Sequence, residues 1–183
     1  MSQRSAVRWL SLCLLACAGL AVAVDDRADE AAIPASPLRL DNLQGQPRSL
    51  ADYPDRVVLV NFWASWCGPC ITEIPSLRDL HARMAGEPFE ILAVNVKEGR
   101  FKVHKFRRMM SMPFPVLLDP DGEAFDAWDA HVLPTSFLVD TEGRVRRKIQ
   151  GPLDWTSDEV IREIEMLLPA PSQPSTTPGR PGG

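Results

Sequence analysis

The chain has 183 residues, of which 45% are apolar and 24% are charged, and its formal net charge at pH 7 is −4. This length holds one folded domain of ordinary size together with tails, and the composition is that of a globular protein. The net negative charge gives no basis for nucleic-acid binding, and the basic segment 144–148 alternates like a solvent-exposed strand. We therefore expect no nucleic-acid partner.

Residues 1–24 differ in kind from the rest of the chain. A basic start is followed by an uncharged, mostly apolar run at 9–24, which is typical of an export signal. Three interpretations remain open: a signal cleaved at the small-x-small site 21–23, a lipoprotein signal acylated at Cys17, or an uncleaved anchor, for which the run is shorter than the ~20 residues that span a bilayer. All three predict a periplasmic domain, and the last two a membrane tether.

Two further segments are predicted to lie outside the folded domain. Residues 25–36 are acidic and rich in Ala and Pro, which indicates a linker, and residues 169–183 are rich in Pro and Gly, which indicates a disordered tail. Residues 37–168 alternate between strand and helix signals and contain no internal repeat. We expect them to form one domain and the protein to be a monomer.

The elements of this domain are read from hydrophobic periodicity and turn residues. A short β-hairpin is predicted around 42–46, followed by a buried strand at 57–64, a helix at 68–84 that contains Pro75, and a second buried strand at 89–96. The remaining predicted elements are a helix at 99–110, a short segment at 115–118, a short helix at 123–130, a hairpin of strands 135–140 and 145–150, and a last helix that Ser157 caps and that runs to 168. This order predicts an α/β fold with a central mixed β-sheet flanked by helices.

The pair Cys67 and Cys70 stands between the first buried strand and the first long helix, in the run Trp66-Cys67-Gly68-Pro69-Cys70. A cysteine at a helix N-terminus faces unpaired backbone N–H groups and the positive end of the helix dipole, and both favour the nucleophilic thiolate. A zinc site needs two more ligands, and the other cysteines lie in residues 1–24; haem attachment needs His at position 71, which is Ile. The pattern therefore indicates dithiol–disulfide exchange, without metal or cofactor.

Four stretches together resemble the TlpA/ResA/CcmG-type exported thiol–disulfide oxidoreductases of the thioredoxin fold. They are Val58 to Cys70, Glu73-Ile74-Pro75, Phe114 to Asp119 and Leu133 to Asp140. The resemblance covers nearly all of residues 37–168 and implies a thioredoxin fold with an N-terminal β-hairpin extension. The chain lacks the Gly-Ala-Pro-Glu-Thr run of the CcmG-type subgroup, which weakens a specific assignment to cytochrome c biogenesis and leaves that pathway one among others.

The resemblance also implies roles for individual residues. Cys67 would be the attacking nucleophile and Cys70 the resolving thiol. Pro134 would follow a cis peptide bond that turns the backbone of Leu133 toward the active site, where it can pair with an extended substrate. Trp66 would cover the disulfide as an apolar lid; the alternative is an ordinary core aromatic.

Glu73 lies three residues after Cys70 and has two open interpretations. It either lies near the thiols and tunes them, as in ResA-like proteins, or is an exposed glutamate in the first turn that complements the helix dipole. Thioredoxin has a buried aspartate where this chain has Asn61, so proton handling here falls to Glu73, to water or to no dedicated group. His131, three residues before Pro134, is a candidate modulator at the rim of the site.

Two functions from different classes are compatible with these residues. The first is an exported oxidoreductase that mainly reduces disulfides of substrate proteins and is regenerated by a membrane thiol donor. The second is a thioredoxin-fold protein that handles Cu(I), because soft thiolates select Cu(I), or that reduces the cysteines of a copper-site protein. Sco-type copper proteins have a longer spacer between their cysteines, which favours the first function.

Overall fold

An eight-stranded mixed sheet organises residues 33–170, the part of the chain that the computed structural model describes. The strands are β1 (Ile33–Pro34), β2 (Arg39–Asn42), β3 (Pro47–Ser49), β4 (Val57–Trp63), β5 (Phe89–Val96), β6 (Val116–Asp119), β7 (Thr135–Val139) and β8 (Arg144–Gln150). Their order across the sheet is β1-β8-β7-β4-β5-β6-β2-β3. Neighbours among β4, β5 and β6 are parallel, and every other pair is antiparallel.

Four α-helices accompany the sheet: α1 (Gly68–Arg83), α2 (Arg100–Met109), α3 (Glu123–Ala127) and α4 (Asp158–Leu167). Helix α1 continues through Pro75. Ser157 occupies the N-cap position of α4, although its side chain makes no capping hydrogen bond. Helix α3 is shorter than predicted because Asp129 has a positive φ of 54°, which leaves helical geometry. Within the described residues, no helix is both long and apolar enough to cross a membrane.

Strand β4 carries the core on both faces of the sheet. Its odd-numbered apolar residues, such as Leu59 and Trp63, pack in one cluster with α1, α2 and α4. Its even-numbered residues, such as Phe62, pack in a second cluster with Trp128 and Phe137. A strand buried on both faces reads as a continuous apolar run, which is why β4 was predictable. The predicted α/β architecture, a mixed sheet flanked by helices, is confirmed.

The predicted N-terminal hairpin is also present and extends the sheet beyond β6. The Asn42 side chain accepts hydrogen bonds from the backbone N–H groups of Gln44 and Gln46, both at 2.9 Å, and these close the turn. One boundary differs from expectation: residues 33–34, assigned to the linker, pair with β8. The predictions for residues 1–24 and for 171–183 lie outside the described residues.

Candidate active site

Cys67 is the N-cap residue of α1 and forms a disulfide with Cys70. Its Sγ accepts a hydrogen bond from the Cys70 backbone N–H at 3.2 Å, and the two Cα atoms are 5.3 Å apart. Both cysteines are buried, Cys70 completely. In the reduced protein, the same N–H and the helix dipole would stabilise a thiolate at Cys67. The expected position of this thiol at a helix start is therefore observed.

A groove of about 480 Å³ opens beside Cys67. Its lining residues are Trp66, Cys67, Gly68, Pro69, Val96, Lys97, Phe125, His131, Val132 and Leu133. The Trp66 side chain stands at this groove with 63% of its surface exposed, so its interpretation as a core aromatic is wrong. An apolar wall next to the Cys67 sulfur is suited to contact with a substrate chain.

The loop before β7 supplies a further part of the groove lining. The Leu133–Pro134 peptide bond is cis, and Leu133 lines the groove together with Cys67. Because β7 runs antiparallel to β4, with Thr135 opposite Phe62, the start of β7 lies at the same sheet edge as the end of β4. The topology thus brings two segments distant in sequence to one site.

Glu73 is buried, with 3% of its surface exposed, so its interpretation as an exposed first-turn residue is wrong. Its Oε1 accepts a hydrogen bond from Asn61 Nδ2 at 2.8 Å. Its Oε2 accepts weaker ones, both at 3.4 Å, from the Trp155 indole N–H and the Leu153 backbone N–H. Burial raises the pKa of this carboxyl above its ordinary value, and these hydrogen bonds oppose the rise only in part. Glu73 is therefore a buried titratable group one helical turn from Cys70.

Asn61, which replaces the aspartate of thioredoxin, links this carboxyl to the sheet. Its amide also donates a hydrogen bond to Ser136 Oγ at 2.9 Å. The side chain of Asn61 cannot titrate, so within this buried unit the ionisable member is Glu73. Trp155 and Leu153 were not predicted to belong to the site.

Glu98 is a second buried carboxylate, and the sequence analysis missed it. It accepts hydrogen bonds from the backbone N–H and the hydroxyl of Ser65, both at 2.6 Å, from Asn95 Nδ2 at 2.8 Å and from Lys102 Nζ at 2.7 Å. Burial alone would raise its pKa, but these hydrogen bonds outweigh burial and lower the pKa to about 2. Glu98 thus anchors the segment that leads into Cys67.

A sequence signal for this contact did exist. Ser65 lies two residues after the end of β4, and Glu98 lies two residues after the end of β5. The two strands are parallel neighbours, so residues at the same offset from their C-terminal ends meet at one sheet edge. The polar partners were therefore inferable once the strands had been paired.

His131 lies at the groove in an exposed ion network. Its Nε2 is 2.8 Å from Asp129 Oδ1, and Lys148 Nζ is 2.7 Å from Asp129 Oδ2. The predicted influence of His131 on the thiols stays a prediction. Among the described residues, no group of three or more His, Cys, Asp or Glu side chains is placed to hold a metal ion.

A mixed sheet with a disulfide at a helix N-terminus, facing a cis-proline loop, defines a thioredoxin-fold thiol–disulfide oxidoreductase. The chain belongs to the AhpC/TSA family, which matches residues 28–148. It is 35% identical to the thiol–disulfide oxidoreductase ResA of Geobacillus kaustophilus over 130 residues, 71% of this chain and 74% of that protein. It is 37% identical to ResA of Bacillus subtilis over 129 residues, 70% of each chain.

A solved structure also shows similarity to a thiol–disulfide exchange protein. The thiol:disulfide interchange protein of the thioredoxin family from Chlorobium tepidum superposes with a TM-score of 0.66 at 28% identity, covering 75% of this chain and 97% of that one. The sequence resemblance is thereby confirmed at the level of family, fold and enzyme class.

Proposed function

We propose that this thiol–disulfide oxidoreductase acts in the periplasm as a reductant of disulfides in other proteins, with Cys67 as its nucleophile. The observation that carries the proposal is the position of the Cys67 sulfur at the start of α1, beside an open groove. The location rests on the export-type composition of residues 1–24.

The reaction moves two electrons from the cysteine pair to the substrate. The Cys67 thiolate attacks one sulfur of the substrate disulfide, the substrate S–S bond breaks, and the leaving thiolate takes up a proton. Cys70 then loses its proton and attacks Cys67, which releases the second substrate thiolate and leaves the Cys67–Cys70 disulfide. A membrane thiol donor returns this disulfide to the dithiol form.

The groove would position the substrate for this exchange. The backbone of Leu133, turned by the cis bond to Pro134, would pair with an extended stretch of substrate. The exposed Trp66 indole would cover the apolar part of that stretch and exclude water from the exchanging sulfurs. The expected substrates are therefore proteins in which a disulfide lies within an extended, accessible segment of chain.

Reduction is the direction favoured by the spacer between the cysteines. Gly68-Pro69 resembles the spacer of reducing thioredoxins and contains no His that would stabilise the thiolate further. We expect the Cys67–Cys70 couple, equilibrated with a glutathione buffer, to lie nearer to the about −270 mV of thioredoxin than to the about −120 mV of DsbA. A potential near the DsbA value would mean that the protein forms disulfides.

Glu73 is proposed to accept the proton that Cys70 loses in the second step. Its burial and raised pKa make it a stronger proton acceptor than an exposed glutamate. We expect Glu73→Gln to slow the release of reduced substrate from a preformed mixed disulfide by about tenfold or more. The pH profile of this release rate should also lose one titration step. Stopped-flow measurement of that release across pH checks this.

Asp79→Asn is the matched control, because Asp79 is an exposed acid on the same helix and its loss changes the net charge equally. It should leave the release rate and its pH profile as in the wild type. If the Glu73→Gln profile coincides with the wild-type profile, Glu73 has only a structural role.

A further inference from the structure

Helix α2 presents an outward face that the redox chemistry does not use. The face consists of Phe101, His104, Lys105, Arg108 and Met109, which line a surface groove of about 480 Å³. We call this set the α2 face. No acidic residue occurs from Arg100 to Met109. The face is therefore cationic, whereas the chain as a whole carries a net charge of −4.

The apolar members of the α2 face have no role in the core. Phe101 is 86% exposed and Met109 is 67% exposed. The opposite side of the helix holds the domain together, since Val103 is completely buried and the Phe106 ring lies 5.4 Å from the Trp63 ring. Phe101 and Met109 are therefore free to contact an external partner, and they share one groove with the cations of the α2 face.

Four of the five Lys and Arg residues of α2 fall into two pairs, and the fifth, Arg107, lines a different cavity. Arg100 donates hydrogen bonds to the carbonyl oxygens of Asn42 and Leu43, and Lys102 pairs with Glu98. Lys105 and Arg108, on the α2 face, form no ion pair within residues 33–170. Their charges are therefore available to an external anionic partner.

We propose that the α2 face docks on an anionic phospholipid surface. Phe101 and Met109 lie about 12 Å apart along the helix axis, with Lys105 and Arg108 between or beside them. Two apolar anchors with cations between them suit a flat interface, where the apolar groups enter the acyl boundary and the cations contact phosphates. The apolar run 9–24 supports this partner, because a lipidated or anchored N-terminus would hold the domain next to such a surface.

Docking in this way leaves the thiol site open. The groove beside Cys67 and the α2 face share no lining residue. Helix α2 begins two residues after Glu98, which binds Ser65, so its N-terminal end lies at the active-site edge of the sheet. A docked α2 would thus hold the cysteine pair close to the membrane without using any residue that lines the groove beside Cys67.

The test uses the full chain with vesicles of phosphatidylcholine alone or mixed with phosphatidylglycerol. A water-soluble amine-acylating reagent, followed by mass spectrometry, reports the reactivity of each lysine. We expect Lys105 to react several-fold more slowly on the anionic vesicles than on the neutral ones, and Lys148 to react equally on both. In about 1 M salt, where the Debye length is about 3 Å, the difference should disappear.

Variants separate the contribution of the α2 face to vesicle binding from that of residues 1–24, because residues 1–24 are the same in all of them. We expect Lys105→Gln/Arg108→Gln to lower partition onto anionic vesicles by about 25-fold, or about fivefold per cation, and to bind neutral vesicles like the wild type. Phe101→Ala should weaken binding without a change of charge. The matched control is Arg78→Gln/Arg162→Gln, which removes two exposed cations from α1 and α4 and should bind like the wild type.

The proposal would be overturned if Lys105 were acylated equally on both kinds of vesicle, or if the two double variants partitioned equally onto anionic vesicles. Both results are expected if the true partner of the α2 face is an acidic protein. Disulfide reduction of a soluble substrate by Lys105→Gln/Arg108→Gln is expected to match the wild type. Failure of membrane docking is therefore distinguishable from failure of the proposed reductase function.

Discussion

Cys67→Ala is expected to abolish disulfide reduction, with activity falling to the background of uncatalysed thiol exchange. The physical reason is that Cys67 carries the sulfur at the N-terminus of α1 and beside the groove, whereas Cys70 is completely buried within the first turn. Once Cys67 is gone, the remaining thiol has no access to a substrate disulfide. Turnover of a protein disulfide with a dithiol reductant measures the effect.

Cys70→Ser provides the complementary variant. It keeps the attacking sulfur but lacks the resolving one, so the mixed disulfide formed at Cys67 should persist and be seen as a covalent adduct. Adduct formation in Cys70→Ser and none in Cys67→Ala is the expected pair of results, and the trapped adducts also identify substrates. Retained turnover in Cys67→Ala would contradict the assignment of the nucleophile.

Glu98→Ala is expected to cause the largest loss of stability among single substitutions at the site, about 3 kcal/mol in the free energy of unfolding. The carboxylate satisfies the Ser65 backbone N–H and the Asn95 amide in a buried environment. Asn95 is completely buried and its Oδ1 already has no partner, so loss of Glu98 would leave that side chain without a hydrogen bond. Urea denaturation measures the change.

Glu165→Ala is the matched control for this substitution. Glu165 also pairs with a cation, Arg83, but at 3.9 Å and with both side chains about half exposed, so its removal should cost about 0–1 kcal/mol. The stability of Glu98→Gln should lie between those of the wild type and Glu98→Ala, because the amide oxygen of the glutamine can still accept one of the hydrogen bonds. Equal stability of Glu98→Ala and Glu165→Ala would contradict the anchoring role.

The pH dependence of stability gives an independent check on Glu98. Its folded-state pKa of about 2 lies below the about 4.3 of an unfolded glutamate. The carboxylate therefore contributes its full stabilisation above pH about 4.3, and this contribution is lost as the pH falls through about 2. The stability difference between the wild type and Glu98→Gln should narrow across that window; a constant difference would show that ionisation of Glu98 is not involved.

The regular elements were predictable because their signals are local. The apolar run of β4 and the helical spacing of Ile74, Leu77 and Leu80 in α1 are visible in any short window of sequence. Strand β1 was missed because two residues in a Pro- and Ala-containing segment carry no periodicity; their strand character depends on β8.

The environment of the site residues was less predictable, since it depends on distant partners. The position of Glu73 on α1 suits either exposure or burial, and the choice depends on Asn61, twelve residues earlier, and Trp155, far later in the chain. The exposure of Trp66 follows from its place just before the helix N-cap, where no element of residues 33–170 covers the side chain. Spacing identified these residues, but only the fold determined their surroundings.

The contacts of Glu73 bear on any attempt to move this chemistry to another scaffold. The Cys-Gly-Pro-Cys turn can be copied as a short cassette, but its companion carboxyl is held by an amide on the central strand and an indole just before the last helix. A graft of the turn alone would transfer the sulfurs without the carboxyl that we propose as the proton acceptor. The smallest unit that would carry both the sulfurs and the carboxyl with its partners is therefore three separate pieces of chain: the strand with Asn61, the segment from Cys67 to Glu73, and the segment with Trp155.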